Sequence, residues 1–244
     1  MGCCSDCLTK KNCIWSTLRP VDHQRLLNIT KLHSSVRRNH DLFHAGESLR
    51  SLFVLRSGSA KTWNVTEAGE EHIIRFHFPG DVLGLGAISG GLYDCNATTL
   101  DTCSVCELPF NPFQRLAEEI PSLNYQLLKL MSHEIAQEEQ RIYLRANRSA
   151  PARLASFLSC LSRNFGERGF SPREFNLTMG RKEIANYLGL ALETVSRTFT
   201  QFQDEGVLRV EGKHICVTDK ERLNQLSGSN AEMDQSSWQR WTCH

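Results

Sequence analysis

Cys4, Cys7 and Cys13 stand in a short lead of small, polar and basic residues that has neither helical nor strand period. Thiolates are soft donors for zinc or iron, and a bound metal can order a segment too short to bury itself. The spacing Cys-x2-Cys-x5-Cys fits neither a zinc finger nor the common ferredoxin runs. Three thiolates leave a cubane iron–sulfur cluster one ligand short, so a fourth must come from elsewhere in the chain. Cys95, Cys103 and Cys106 are the better candidates, and Cys3, Cys160, Cys216 and Cys243 the poorer ones. On spacing alone a cluster, a zinc site and plain reactive thiols remain equally open. The Met1-Gly2-Cys3-Cys4 start hints at lipidation, but Asp6 stands where the myristoylation pattern needs Ser or Thr.

A second chemistry is written in residues 177–206, LTMGRKEIANYLGLALETVSRTFTQFQDEG. The stretch reads as helix, tight turn and helix of the DNA-binding kind. The first helix starts near Gly180, with Glu183 reaching back to its start. Ile184, Ala185 and Leu188 form its inner face, and Gly189 sits where the turn needs positive φ. The second helix runs from about Leu192, with Val195, Phe199 and Phe202 inward at i, i+4 and i+7. Glu193, Ser196 and Arg197 then face outward near its N-terminus, where a recognition helix meets base edges in the major groove. Arginine binds guanine bidentately, glutamate accepts from the cytosine amino group, and serine serves either.

The elements that must position these residues follow from the rest of the chain. Its 244 residues suit one large domain or two modest ones, with a net charge of +1. Residues 150–226 hold 11 Lys+Arg against 9 Asp+Glu, a balance of +2, so DNA binding must rest on local contacts rather than a basic field. No apolar run approaches a membrane span and no signal peptide opens the chain. Ten cysteines in such a protein point to a reducing compartment, hence to the cytoplasm. No nucleophile, base and orienting residue fall in a recognisable arrangement, and the nine histidines are dispersed, so an enzyme is not expected.

After the lead (1–20), residues 21–40 read as a short amphipathic helix with Leu26, Leu27, Ile29 and Leu32, ending in a basic turn at Arg37-Arg38. From Asp41 short β-type runs are punctuated by Gly46, Gly58, Gly69 and Gly80, at intervals of 12, 11 and 11 residues. Ser51–Arg56, Ala60–Val65 and His72–Phe78 fit antiparallel strands of a barrel or double sheet, with an exposed hairpin tip at 67–70. The glycine-rich run 84–92 raises phosphate binding, yet no Arg or Lys occurs between Arg75 and Arg115. On a strand, Cys103 and Cys106 would face opposite sides. Residues 112–147 read as one long helix in which Leu128, Met131, Ile135, Glu138 and Ile142 make a heptad-like stripe, a two-fold dimer seam with an acid in its middle. A second domain, 148–226, then carries a helix (151–165), the helix-turn-helix, and a wing hairpin at 207–210 and 214–217. Residues 227–244 are polar and patternless, an expected disordered tail.

Cysteine-rich lead, β part, long helix and winged helix-turn-helix, in that order, resemble the cyclic AMP receptor protein superfamily. Cys4-x2-Cys7-x5-Cys13, the phrase SVCELPF around Cys106, GFSPREF at 169–175 and Glu193-x2-Ser196-Arg197 resemble its oxygen-sensing branch, the fumarate and nitrate reductase regulators. The resemblance covers about residues 4–226. It implies an α+β fold: an antiparallel β-roll sensor (21–111), a dimerisation helix region (112–147) and a winged DNA-binding domain. It implies that Cys4, Cys7, Cys13 and Cys106 ligate a 4Fe–4S cluster, with Cys3, Cys95 and Cys103 as bystanders. It implies a homodimer formed without oxygen, bound to near-palindromic promoter DNA with TTGAT half-sites. The arginine-serine phosphate cassette of the cyclic AMP branch is missing, with Cys95-Asn96-Ala97 in that region, which implies no cyclic nucleotide. Val65, Gly69 and Glu70 match a loop that touches RNA polymerase. A thiol-redox or zinc-binding regulator of the same fold is the alternative reading.

Overall fold

The computed structural model describes residues 13–14, 18–146 and 149–228. The chain forms two compact units that divide inside a long helix, between Glu138 and Glu139.

In the first unit, α1 (Pro20–Ile29) precedes β1 (Lys31–Val36), β2 (Asp41–Phe43), β3 (Ser51–Ser57), β4 (Ala60–Val65), β5 (Glu71–His77) and β6 (Val82–Leu83). The one-turn α2 (Ala87–Gly90), β7 (Asn96–Thr99) and β8 (Cys103–Pro109) complete the β part. All pairings are antiparallel, in two sheets ordered β1-β8-β3-β6 and β2-β7-β4-β5. The expected double sheet is what forms.

The first sheet is apolar on both faces, which explains the unbroken run Leu52-Phe53-Val54-Leu55 in β3. Leu52, Val54, Cys106 and Leu108 point to one core, shared with Leu26, Phe113, Leu116 and Leu123 from the helices. Leu55, Cys103 and Val105 point to a second core, against Phe43, Ala60 and Ala97 of the other sheet. Glu107 ties three strands together: Lys31 Nζ donates to it at 3.3 Å, Ser51 Oγ at 2.8 Å, and His33 Nε2 lies at 2.8 Å.

Two helical expectations are corrected here. The helix read within 21–40 ends at Ile29, and Leu32, expected on it, lies in β1 opposite Cys106. That edge strand is exposed along nearly its whole length, so it has no apolar alternation to betray it. The single helix expected over 112–147 is two, α3 (Phe110–Glu119) and α4 (Pro121–Ala146). Pro121 disfavours helical geometry at the preceding residue, and Ile120 is extended at φ −115°, ψ 95°.

The second unit holds α5 (Ala150–Glu167), β9 (Glu174–Asn176), α6 (Arg181–Leu188), α7 (Leu192–Asp204), β10 (Leu208–Glu211), β11 (His214–Val217) and α8 (Lys220–Leu226). Ser149 caps α5 by accepting from the Ala152 N–H at 3.4 Å, and Pro151 falls in the first turn where it loses no bond. The wing hairpin is joined by β9 into a sheet ordered β10-β11-β9. Ser227 is fully buried and its carbonyl accepts from Ser156 Oγ at 3.2 Å. The rest of the expected tail, from residue 229, lies outside the described residues.

Candidate nucleic-acid interface and cysteine face

The helix-turn-helix is fixed by local devices that the residues themselves supply. Glu183 accepts from the Gly180 N–H at 2.8 Å, satisfying a donor at the start of α6. Gly189, at φ +63°, closes α6 in the left-handed region, and Leu190 N–H returns to the Ala185 carbonyl at 2.9 Å. Ile184, Ala185, Leu188, Val195, Phe199 and Phe202 are all buried, as the periodicity requires. Arg181 lays its guanidinium 3.2 Å from the Phe199 ring centroid, a cation–π contact between the two helices. Burial lowers the pKa of Arg181 to about 10, which leaves it charged at neutral pH.

Glu193, Ser196 and Arg197 are exposed on the outer face of α7. Ser196, Arg197, Thr200, Gln201, Asp204 and Glu205 line one open, shallow depression along that face. The acids sit at the C-terminal end, so phosphate repulsion favours entry of the N-terminal half into a groove. Thr200 was invisible to the sequence reading, though its i+7 spacing from Glu193 places it on the same stripe.

Of the four cysteines matched to the cluster pattern, Cys4 and Cys7 lie outside the described residues. Cys13 and Cys106 are each 4% exposed and belong to the same apolar core, on the helix side of the first sheet. Cys106 occupies a central position, flanked by Leu32 of β1 and Val54 of β3. Cys103 points the other way, its Sγ 3.2 Å from the Ser59 carbonyl, in the second core. Cys95 packs against that same second core. One strand thus separates its two cysteines, and only Cys106 shares a face with Cys13. Two soft sulfur donors in apolar surroundings suit an iron–sulfur group. Among the described residues no group of three or more His, Cys, Asp or Glu gathers to hold a metal.

Burial, then the Asp94 carboxylate beside it, pushes the Cys95 thiol up to about 12, and burial raises Cys103 as well. The thiolate is the reactive form, so a raised pKa suppresses reaction until the pH approaches that value. Iodoacetamide at pH 8, followed by peptide mass mapping, should leave Cys95 and Cys103 unmodified while exposed Cys160 is alkylated.

Helix α4 has two apolar faces. Leu123, Leu127 and Leu130 pack into the helix-side core. Leu128, Ile135 and Ile142 are instead 58%, 61% and 63% exposed, and Tyr125 is 68% exposed. Met131 is half-buried and Glu138 exposed. Tyr125, three residues before Leu128, extends the stripe one turn further and was missed. Arg75 of β5, almost buried, pairs with Glu134 of α4 and holds the helix to the second sheet. The β4–β5 hairpin presents Val65, 58% exposed, and turns through Gly69 at φ +78°. Thr66 closes it, its N–H donating to the Glu70 carbonyl at 2.8 Å.

Comparison with known proteins agrees with this layout. Residues 33–119 match the cyclic nucleotide-binding domain and residues 152–226 the Crp-like helix-turn-helix domain. The chain is 43% identical to the Fumarate and nitrate reduction regulatory protein of Escherichia coli K12 over 230 residues, 93% of this chain and 92% of that protein. It is 42% identical to the Anaerobic regulatory protein of Haemophilus influenzae over 232 residues, 94% and 90% of the two chains. FixK2 from Bradyrhizobium japonicum superposes with a TM-score of 0.75 at 25% identity, over 83% of this chain and all of that one. With the β-roll, the helix-turn-helix and the relatives in agreement, the chain belongs to the family of fumarate and nitrate reduction regulators, transcription regulators with a Crp-like DNA-binding domain.

Proposed function

We propose that this protein is an oxygen-responsive regulator of anaerobic gene expression, acting in the cytoplasm as a homodimer on promoter DNA. The observation that carries the reading is the burial of Cys13 and Cys106 on one core face, with Cys95 and Cys103 turned away. Cys4, Cys7, Cys13 and Cys106 would hold a 4Fe–4S cluster. When bound, that group supplies an oxygen-labile link between the lead and the β-roll. The chain's own part is to seat Cys13, Ile14 and Leu18 in the core that also packs Leu123, Leu127 and Leu130 of α4. Order at the lead and placement of α4 are thereby coupled through one set of apolar contacts.

The exposed stripe of α4 is best occupied by a second copy of itself. Leu128, Ile135 and Ile142 repeat every seven residues, the spacing of a coiled-coil seam, with Met131 and Glu138 at the intervening positions. A parallel pair would place Glu138 against its own mate. That repulsion keeps the monomer favoured until the packing of α4 shifts. Two recognition helices would then sit one DNA turn apart over a near-palindrome, and Val65, Gly69 and Glu70 would meet RNA polymerase at the hairpin tip.

Cyclic nucleotides are not the signal in this reading. Neither Arg nor Lys occurs between Arg75 and Arg115, and Arg75 is engaged by Glu134.

Glu193, Ser196 and Arg197 would read base edges. Glu193→Ala should cost about 1–3 kcal/mol on the preferred site and relax discrimination at one base pair, measured by binding to single-substitution duplexes. Equal loss on every sequence would assign Glu193 a backbone role.

The anaerobic optical spectrum of purified protein, with iron and sulfide counted and a pulse of air admitted, tests the sensor. A visible band, equal iron and sulfide, and bleaching in air are expected. Colourless protein containing zinc would overturn the cluster and leave the DNA-binding half standing.

A further inference from the structure

The outer face of α7 extends one turn beyond the three residues assigned to base reading. Thr200 is exposed there, seven residues after Glu193 and four after Ser196, on the same side of the helix. Its hydroxyl donates back to the Ser196 carbonyl at 3.3 Å. That bond commits the hydroxyl proton to the backbone, so this exposed side chain has no proton left to donate to a base and keeps its γ-methyl and the acceptor capacity of its oxygen for a partner. On the same side, Gln201 Nε2 is held by Glu205 at 2.8 Å, and Asp204 follows. Thr200 is therefore the last exposed position carrying a methyl on this face before the acidic end of the helix.

A small apolar group on a recognition helix has one distinctive partner in the major groove, the 5-methyl of thymine. With a rise of about 1.5 Å per residue, Thr200 lies roughly 10 Å along the axis from Glu193. At about 3.4 Å per base pair, the two contacts fall no more than about three pairs apart. We propose that Thr200 is a specificity residue of this regulator, packing its methyl on a thymine methyl within about three base pairs of the pair that Glu193 reads. This rests on α7 being the base-reading helix.

Deoxyuridine in place of thymine removes the methyl and nothing else, and Thr200→Ser removes the matching methyl while keeping the hydroxyl bond to Ser196. Anaerobically purified full-length protein would be titrated with a duplex of two TTGAT half-sites, its thymines replaced one at a time on both strands. In the parent protein one replacement per half-site should weaken binding about fourfold, the burial of one methyl. T200S should bind thymine and deoxyuridine equally at that position and keep the parent response at all others. If T200S retains every thymine–uracil difference, or the parent shows none, the assignment is overturned. Failure of the underlying reading looks different: the unmodified duplex would then bind no tighter than a scrambled one, and Glu193→Ala would weaken both alike.

Discussion

Cys106→Ala is expected to abolish retention of the iron–sulfur group and, with it, anaerobic binding to promoter DNA. Loss of even an outer-shell partner typically costs about 10–100-fold in metal affinity and loss of a ligand costs more, and among the described residues no other thiol shares that core with Cys13 and Cys106. Cys103→Ala, three residues away, is the internal control, because it points into the other core and should leave iron content and DNA affinity within about twofold. Both positions are buried, so both variants lose a sulfur's packing, on the order of 1 kcal/mol of stability. Thermal unfolding of the two should therefore shift alike while only Cys106→Ala loses iron. If Cys106→Ala keeps its iron, or Cys103→Ala loses it, the assignment of the fourth ligand is wrong. Cys13→Ala should behave like Cys106→Ala.

Glu138→Ala is expected to give a dimer that binds DNA in air. Removing one carboxylate from each helix relieves a like-charge contact at the seam and adds apolar surface. Allosteric couplings of this kind are on the order of 1–3 kcal/mol, a 5–150-fold shift toward dimer. Sedimentation in air against the parent protein measures it directly. Ile135→Asp is the opposite change on the same stripe, and should leave a monomer even without oxygen. Because Ile135 is 61% exposed, that substitution should hardly alter the melting temperature of the isolated chain. A Glu138→Ala protein that stays monomeric in air would remove this helix from the switch.

Much of the DNA-binding unit was legible because its signals are short-range. Glu183 three residues after Gly180, Gly189 at the turn, and inward residues at i, i+4 and i+7 each act within a turn or two of helix. The structure places every one of them as read. The β part was legible for a similar reason: glycines at regular intervals mark turns, and Ala60–Val65 is the strand the residues suggest. Pro121 was an equally local signal, and it breaks the helical region where a long apolar period had suggested continuity.

What the sequence by itself determined, then, is the set of locally encoded elements, the exposed outer face of α7 and the thiol-rich lead. What only the tertiary structure decided is which cysteine of β8 shares a core with Cys13. Cys103 and Cys106 carry the same chemistry and sit in the same strand, and spacing alone does not choose between them. The choice is made where β8 is sandwiched: one face turns to the helices, where Cys13 is buried, and the other to the second sheet, where Cys95 packs. β1 was hidden for the same reason, since an exposed edge strand exists only through its pairing with β8, about seventy residues away. Contacts at that sequence separation come from the closing of the whole core, and no local pattern of side chains records them.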